Sequence, residues 1–321
     1  MTPDRTISLR DWFSKLESPT QHLFAVMDSA RDPNIPIELR RKGAEFTSLY
    51  RGEPEESLSS VAPYLVSLDP KSELMRWLLT NGWGNSWGIF LVSAASLATL
   101  RRHFRHFLLV HDTAGSELYF RFYDPRVLRT FLPTCTGTET KRVFGPVGVY
   151  LLEAENGEAV SFFSRRTAGT IRVAELSEWS DAALIADGSS LEATPKPVNR
   201  RLRIRQEQMS VFSDYMNESF ARRAALYLRV NHPNATDSLT AVELHEFIDT
   251  GVDRAAKHSL TRENEIGVFL ELMLLFGVDF DQTTAWAAEL LQNSDLSAAD
   301  KLDRLQEYRD AAIEKRLGAG V

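Results

Sequence analysis

Apolar positions in the first part of the chain follow two periods. Leu9, Trp12, Phe13 and Leu16 have the spacing of one helix face, and Ile37 to Lys42 reads as a second short helix. His22 to Met27, ending at Asp28, and Phe46 to Tyr50, ending at Gly52, read as strands. The apolar run Val61 to Leu68 reads as a buried strand. Ser72 is placed to cap a helix carrying Leu74, Trp77 and Leu78. A loop of turn residues and tryptophan, Asn81-Gly82-Trp83-Gly84-Asn85-Ser86-Trp87-Gly88, leads into a strand at Ile89 to Val92. Ser93 then caps a helix with Leu97, Leu100 and Phe104 on one face and Arg101, Arg102, His103 and Arg105 on the other. Phe107 to His111 and Glu117 to Phe122 pair as a hairpin. Val149 to Leu152 and Val160 to Ser164 form another around Asn156-Gly157.

The stretch Phe120-Arg121-Phe122-Tyr123-Asp124-Pro125-Arg126-Val127-Leu128 closes a strand and opens a helix. Leu118, Phe120 and Phe122 alternate with Tyr119, Arg121 and Tyr123, the period of a strand packed on both faces. Asp124 stands at an N-cap with Pro125 at the first helical position. Arg121 and Arg126 flank this one carboxylate and favour its charged form, which suits a cap or ion pair better than a proton shuttle. Val127, Leu128 and Phe131 continue the helix, and Phe144-Gly145-Pro146 punctuates the chain.

Beyond about residue 178 the pattern changes. Asp187-Gly188-Ser189-Ser190 and Pro195-Lys196-Pro197 read as a linker, and the remainder of the chain has helical period throughout. Arg203 to Val230 reads as one long helix with Phe212, Met216 and Phe220 inward. Thr240-Ala241-Val242-Glu243 is a capping box for the next, with Leu244, Phe247, Ile248 and Val252. Glu265 to Phe276 is stopped by Gly277, Asp281 caps a helix holding Trp286 and Leu290, and Ser297 to Asp300 opens the last. The expected class is α+β: a mixed β-sheet domain with flanking helices at 1–178, a linker at 179–200, and a smaller all-α domain at 201–321.

Composition narrows the function classes. With 321 residues, 43% hydrophobic and 25% charged, the chain can form two soluble globular domains. A net charge of −7 disfavours general binding to nucleic acid or an anionic membrane. Cys135 is the single cysteine, so no disulfide forms within the chain. With no signal peptide at Met1 to Arg5 and no run long enough to span a bilayer, a cytoplasmic location is expected.

Motifs for chemistry are absent. No phosphate-binding glycine loop, G-x-S-x-G, H-E-x-x-H or paired-cysteine metal site occurs, so no cofactor or metal is expected. His103, His106 and His111 with Asp124 are the closest approach to an acid–base or metal site. An enzyme of hydrolase type using His103, His111 and Asp124 is the alternative to a binding protein. Cys135, in a turn-like setting, lacks a partner base in sequence. Arg101 to Arg105 and Arg200 to Arg205 are the basic runs. A solvated face or a dock for an acidic partner accounts for them better than nucleic-acid binding does.

Several of these pieces together resemble a known family. They are Tyr50-x-Gly52, Pro63-Tyr64-Leu65-Val66, the glycine–tryptophan loop, Leu100-x-x-His103-Phe104-Arg105, Arg121 to Leu128, and Phe144-Gly145-Pro146. Their order and spacing, over roughly residues 20 to 165, resemble the bacterial type VI secretion adaptor family that carries domain of unknown function 4123. The helical part is similar to the tail of such proteins at Gly277-Val278-Asp279-Phe280-Asp281 and Trp286. The resemblance implies a non-enzymatic cytoplasmic chaperone that binds a secreted effector toxin and loads it onto the VgrG-type spike. Arg105, Arg121, Asp124 and Arg126 carry over as motif positions, holding the sheet-to-helix turn and contributing to a partner surface.

Overall fold

Strands with apolar residues at every position need cover on both faces, and this chain supplies it. A computed structural model describes residues 3–16, 19–50, 61–155, 157–165, 168–176 and 201–318; the linker read at 179–200 lies outside them, as do Gly52 and Asn156. The strands are β1 (His22–Asp28), β2 (Phe46–Ser48), β3 (Pro63–Leu68), β4 (Gly88–Ser93), β5 (Leu109–His111), β6 (Glu117–Tyr119), β7 (Val149–Glu153), β8 (Ala159–Ser164) and β9 (Ala168–Arg172). Seven of them form one sheet in the order β2-β3-β1-β4-β7-β8-β9, and β5 pairs with β6 in a separate hairpin.

The α+β class stands, but every pairing in the large sheet is antiparallel, where a mixed sheet was expected. The cause is the position of β1 between β3 and β4. The helix Glu73–Asn81 connects β3 to β4, two strands that run the same way but never pair.

The period-two rule sorts the residues onto two cores. Leu23, Ala25 and Met27 of β1 and Phe90 and Val92 of β4 face one core, with Trp12 and Phe13 of the helix Pro3–Lys15 and Leu78 of Glu73–Asn81. Phe24, Val26, Ile89 and Leu91 face the other, with Leu100 and Phe104 of the helix Leu97–Arg105, Leu128 and Phe131 of Pro125–Phe131, and Phe144 of Gly137–Phe144.

The chain divides into two compact units, Met1–Phe212 and Ser213–Val321. Residues 201–212, which the sequence pattern placed with the helical domain, pack in the first unit. Leu202 and Ile204 are buried in the second core, and the His111 amide and carbonyl bond Leu202 O and Ile204 N at 3.0 and 2.8 Å. The second unit is helical, as expected, with helices Ala241–Lys257, Glu263–Phe276, Ala285–Gln292 and Ala298–Gly318 around Ile248, Phe269, Phe280 and Leu305.

Local corrections have local causes. Ser96, not Ser93, caps the helix Leu97–Arg105; the Ser93 hydroxyl donates instead to Pro146 O at 2.6 Å. Asp281 is not a cap: it is buried within the short helix Phe280–Thr283. Met216 is exposed rather than inward.

Candidate functional site

The stretch around Asp124 folds differently from a plain strand. β6 ends at Tyr119, and Phe120 to Tyr123 form an irregular crossing before the helix Pro125–Phe131. Aromatic packing replaces strand pairing there. Phe122 stacks on Phe104 at 5.2 Å between ring centroids, and Phe120 meets Phe131 edge-on at 5.0 Å. Each such buried ring contributes about 1.5–3 kcal/mol.

Asp124 caps this helix as its position predicts. Its Oδ1 accepts from Arg126 N at 3.0 Å and Nε at 2.9 Å, and its Oδ2 accepts from Arg126 Nη2 at 2.6 Å. Arg121 does not share this carboxylate. It pairs with Asp28 at the end of β1, a fully buried residue distant in sequence. Burial pulls the Arg121 guanidinium down, but the hydrogen bond and charge of Asp28 carry it above the ordinary arginine value. Arg105 donates to Leu49 O at 3.0 Å and Tyr50 O at 2.6 Å, tying the helix Leu97–Arg105 to the chain after β2. The four motif residues thus hold three different junctions.

The residues of the alternative acid–base site are engaged separately. Among the described residues, no hydrogen bond or ion pair links His103, His111 and Asp124 to one another. His103 bonds Val143 O at 3.0 Å and lies against Gly145, where an added Cβ would run into the imidazole and where a φ of 48° also favours glycine. Burial pushes His103 down to about 4, against the pull of its bond to Val143. Burial likewise pushes the Cys135 thiol up to about 12, so the thiolate that a nucleophile requires is disfavoured. No group of three or more potential metal ligands occurs among the described residues.

What the first unit does present is a basic cleft of about 670 Å³. Arg101, Arg102, Arg105 and His106 enter it from the helix Leu97–Arg105 and its C-terminus, and Arg201 from the returning segment. Leu49, Leu108 and Leu109 supply apolar wall. Tyr50 and Tyr119 lie edge to face at 6.4 Å, their hydroxyls 3.1 Å apart, and Tyr123 OH donates to Tyr119 at 3.3 Å. No aspartate or glutamate is among the described lining residues. The second basic run, Arg200 to Arg205, is therefore split. Arg205 turns away to Glu139 and Thr134 O, while Arg201 pairs with Glu117 and also lines the cleft.

Two carboxylates without a motif around them organise their surroundings. Glu153, at the end of β7, accepts from Gly84 N at 2.6 Å and Ser86 N at 2.7 Å, clamping the glycine–tryptophan loop. Burial raises its carboxyl above the usual range despite those bonds. In the second unit Glu271 is buried beside a cleft of about 610 Å³. It accepts from Tyr227 OH and Arg309 Nη1, both at 3.0 Å, and lies 2.9 Å from His232 Nε2. A lone glutamate in the apolar run Ile266 to Phe276 was the available sequence signal for it.

Residues 23–142 match the family model described as Domain of unknown function (DUF4123). No curated protein and no solved structure matches the chain. No helix among the described residues is long and apolar enough to cross a membrane.

Proposed function

We propose that the chain is a non-enzymatic cytoplasmic adaptor that binds a type VI secretion effector and promotes its loading onto the VgrG-type spike. The observation that carries this reading is the match of residues 23–142 to the DUF4123 model, which spans most of the motifs resembling that adaptor family. The engagement of Arg121, Asp124 and Arg126 in a cap and ion pairs supports a scaffold role for the motif. The basic cleft of the first unit receives one partner. The second unit grips an apolar segment of the other through its exposed Leu226, Tyr227 and Val230, because helical surfaces commonly take such segments.

Deleting the gene tests the reading in the native cell. The adaptor function predicts that its effector is lost from the secreted fraction while the spike itself is still assembled and secreted. Unchanged effector delivery contradicts it.

A further inference from the structure

Arg101, Arg102, Arg105 and His106 converge on one cleft with no carboxylate among its described lining residues, in a chain of net charge −7; Arg201 joins them with Glu117 as its partner. Such a local reversal of sign attracts an anionic ligand and repels cationic ones. We infer that this cleft is the docking site for an acidic, extended peptide segment of a partner protein, in which carboxylate side chains alternate with apolar ones. The inference rests on the adaptor reading for the identity of that partner as a carried or receiving protein.

The chemistry selects a peptide. Guanidinium forks match carboxylates two bonds at a time. Arg102 is exposed and makes no ion pair among the described residues, so it is available to a ligand. Arg101 is held from behind by its Nε donating to Ser48 O at 2.9 Å, which fixes the direction of its fork. Exposed Ala98 and half-buried Leu109 provide apolar wall beside the charges, a pattern that free phosphate would leave unused. A cleft of about 670 Å³ also exceeds what a small inorganic anion fills. Nucleic acid fits less well. Tyr50 and Tyr119 sit edge to face at 72°, with hydroxyls bonded to each other, and so do not offer the parallel faces on which successive bases stack.

Fluorescence anisotropy on the full chain tests the inference. The probe is a labelled peptide of alternating glutamate and leucine; the controls are the same peptide with glutamine for glutamate and a labelled single-stranded oligonucleotide. The glutamate peptide should bind, more weakly as salt rises, and Arg102→Glu should weaken it at least tenfold while leaving the thermal midpoint unchanged. His106→Glu, at a second exposed position of the same cleft, should weaken it in the same direction. Equal binding of the glutamine peptide, preference for the oligonucleotide, or indifference to both substitutions overturns the inference. So does binding that appears only when Glu53, Glu55 and Glu56, which come shortly after Tyr50 in sequence, are changed to glutamine, because the cleft's ligand is then the chain's own acidic segment. If the peptide fails while effector and spike still co-purify with the full chain, the cleft assignment falls and the adaptor reading stands. If the peptide binds and neither co-purifies, the adaptor reading falls and the cleft remains an acidic-peptide site.

Discussion

Asp28 and Arg121, separated by 93 residues in sequence, form the ion pair that fastens the aromatic crossing to the end of β1. Asp28 is fully buried, and its Oδ1 also accepts from Ala30 N at 3.1 Å, so the carboxylate serves a turn and a tertiary tie at once. Replacing Arg121 with methionine leaves that carboxylate without its counter-charge. The expected loss is roughly 2–3 kcal/mol, discounted from the value for a fully buried pair because Arg121 is part-exposed. Urea denaturation of the variant followed by intrinsic fluorescence measures it.

Asp124 is predicted to behave as a cap with an added side-chain clamp. Asp124→Ala should cost about 1–2 kcal/mol, while Asp124→Asn, which keeps the cap acceptor and loses the charge on Arg126, should cost less than half as much. A catalytic carboxylate would show the same loss of function for both substitutions with stability intact. Thermal melts of the two variants distinguish these cases.

His103 predicts a pH dependence. Its folded value is depressed to about 4 from an ordinary 6.5, so between those values the unfolded chain binds a proton that the folded chain refuses. Stability is therefore complete above pH 6.5 and is lost as pH falls toward 4, by roughly 3 kcal/mol at full extent. The buried carboxyl of Glu153 is shifted upward and contributes with the opposite sign. The difference between wild type and His103→Gln isolates the histidine: denaturation midpoints across roughly pH 4–7 should slope less in the variant.

The second unit has its own buried carboxylate tie. Asp281 accepts from Arg254 through Nε and Nη2 and lies 3.0 Å from His258 Nε2, while Arg254 Nη1 reaches Asp279 at 2.8 Å. Burial works to raise the Asp281 carboxyl, but Arg254 and His258 bring it below the ordinary aspartate value. The stability it provides is present above its unfolded value of 3.8 and lost as pH falls below that, a window under that of His103. Asp281→Ala should destabilise this unit by about 2–4 kcal/mol, read as early loss of hydrogen-exchange protection in the helices Ala241–Lys257 and Glu263–Phe276.

Local signals were legible at most helix starts, although Ser96 and Thr284 stand at the N-caps expected of Ser93 and Asp281. Ser72, Asp124, Thr240 and Ser297 all accept from the backbone of the helices they were expected to open. Short apolar runs identified β1, β4, β7 and β8, because both faces of those strands must be filled; the alternation over Leu118 to Tyr123 misled, since the strand ends at Tyr119. Pairing partners were not legible. Nothing local in Asp28 announces Arg121, and both Arg121 and Arg126 stand nearer to Asp124 in sequence. The antiparallel sheet read as mixed because strand–helix–strand order is shared by both topologies when a third strand is inserted between two others. The cleft was half visible: the run Arg101 to Arg105 was plain, but Arg201 joins it only through the pairing of residues 202–204 with His111. His103, in the same run, was read with the solvated face and instead fills the space beside Gly145, a tertiary contact with no local signature.

The most direct test of the adaptor reading is recovery of the tagged full-length chain from the native cytoplasm, with everything that co-elutes identified. A secreted toxin together with a spike protein is expected, both lost when the tag is carried by an unrelated protein of similar charge. Recovery of neither from cells assembling the secretion machinery would contradict that reading.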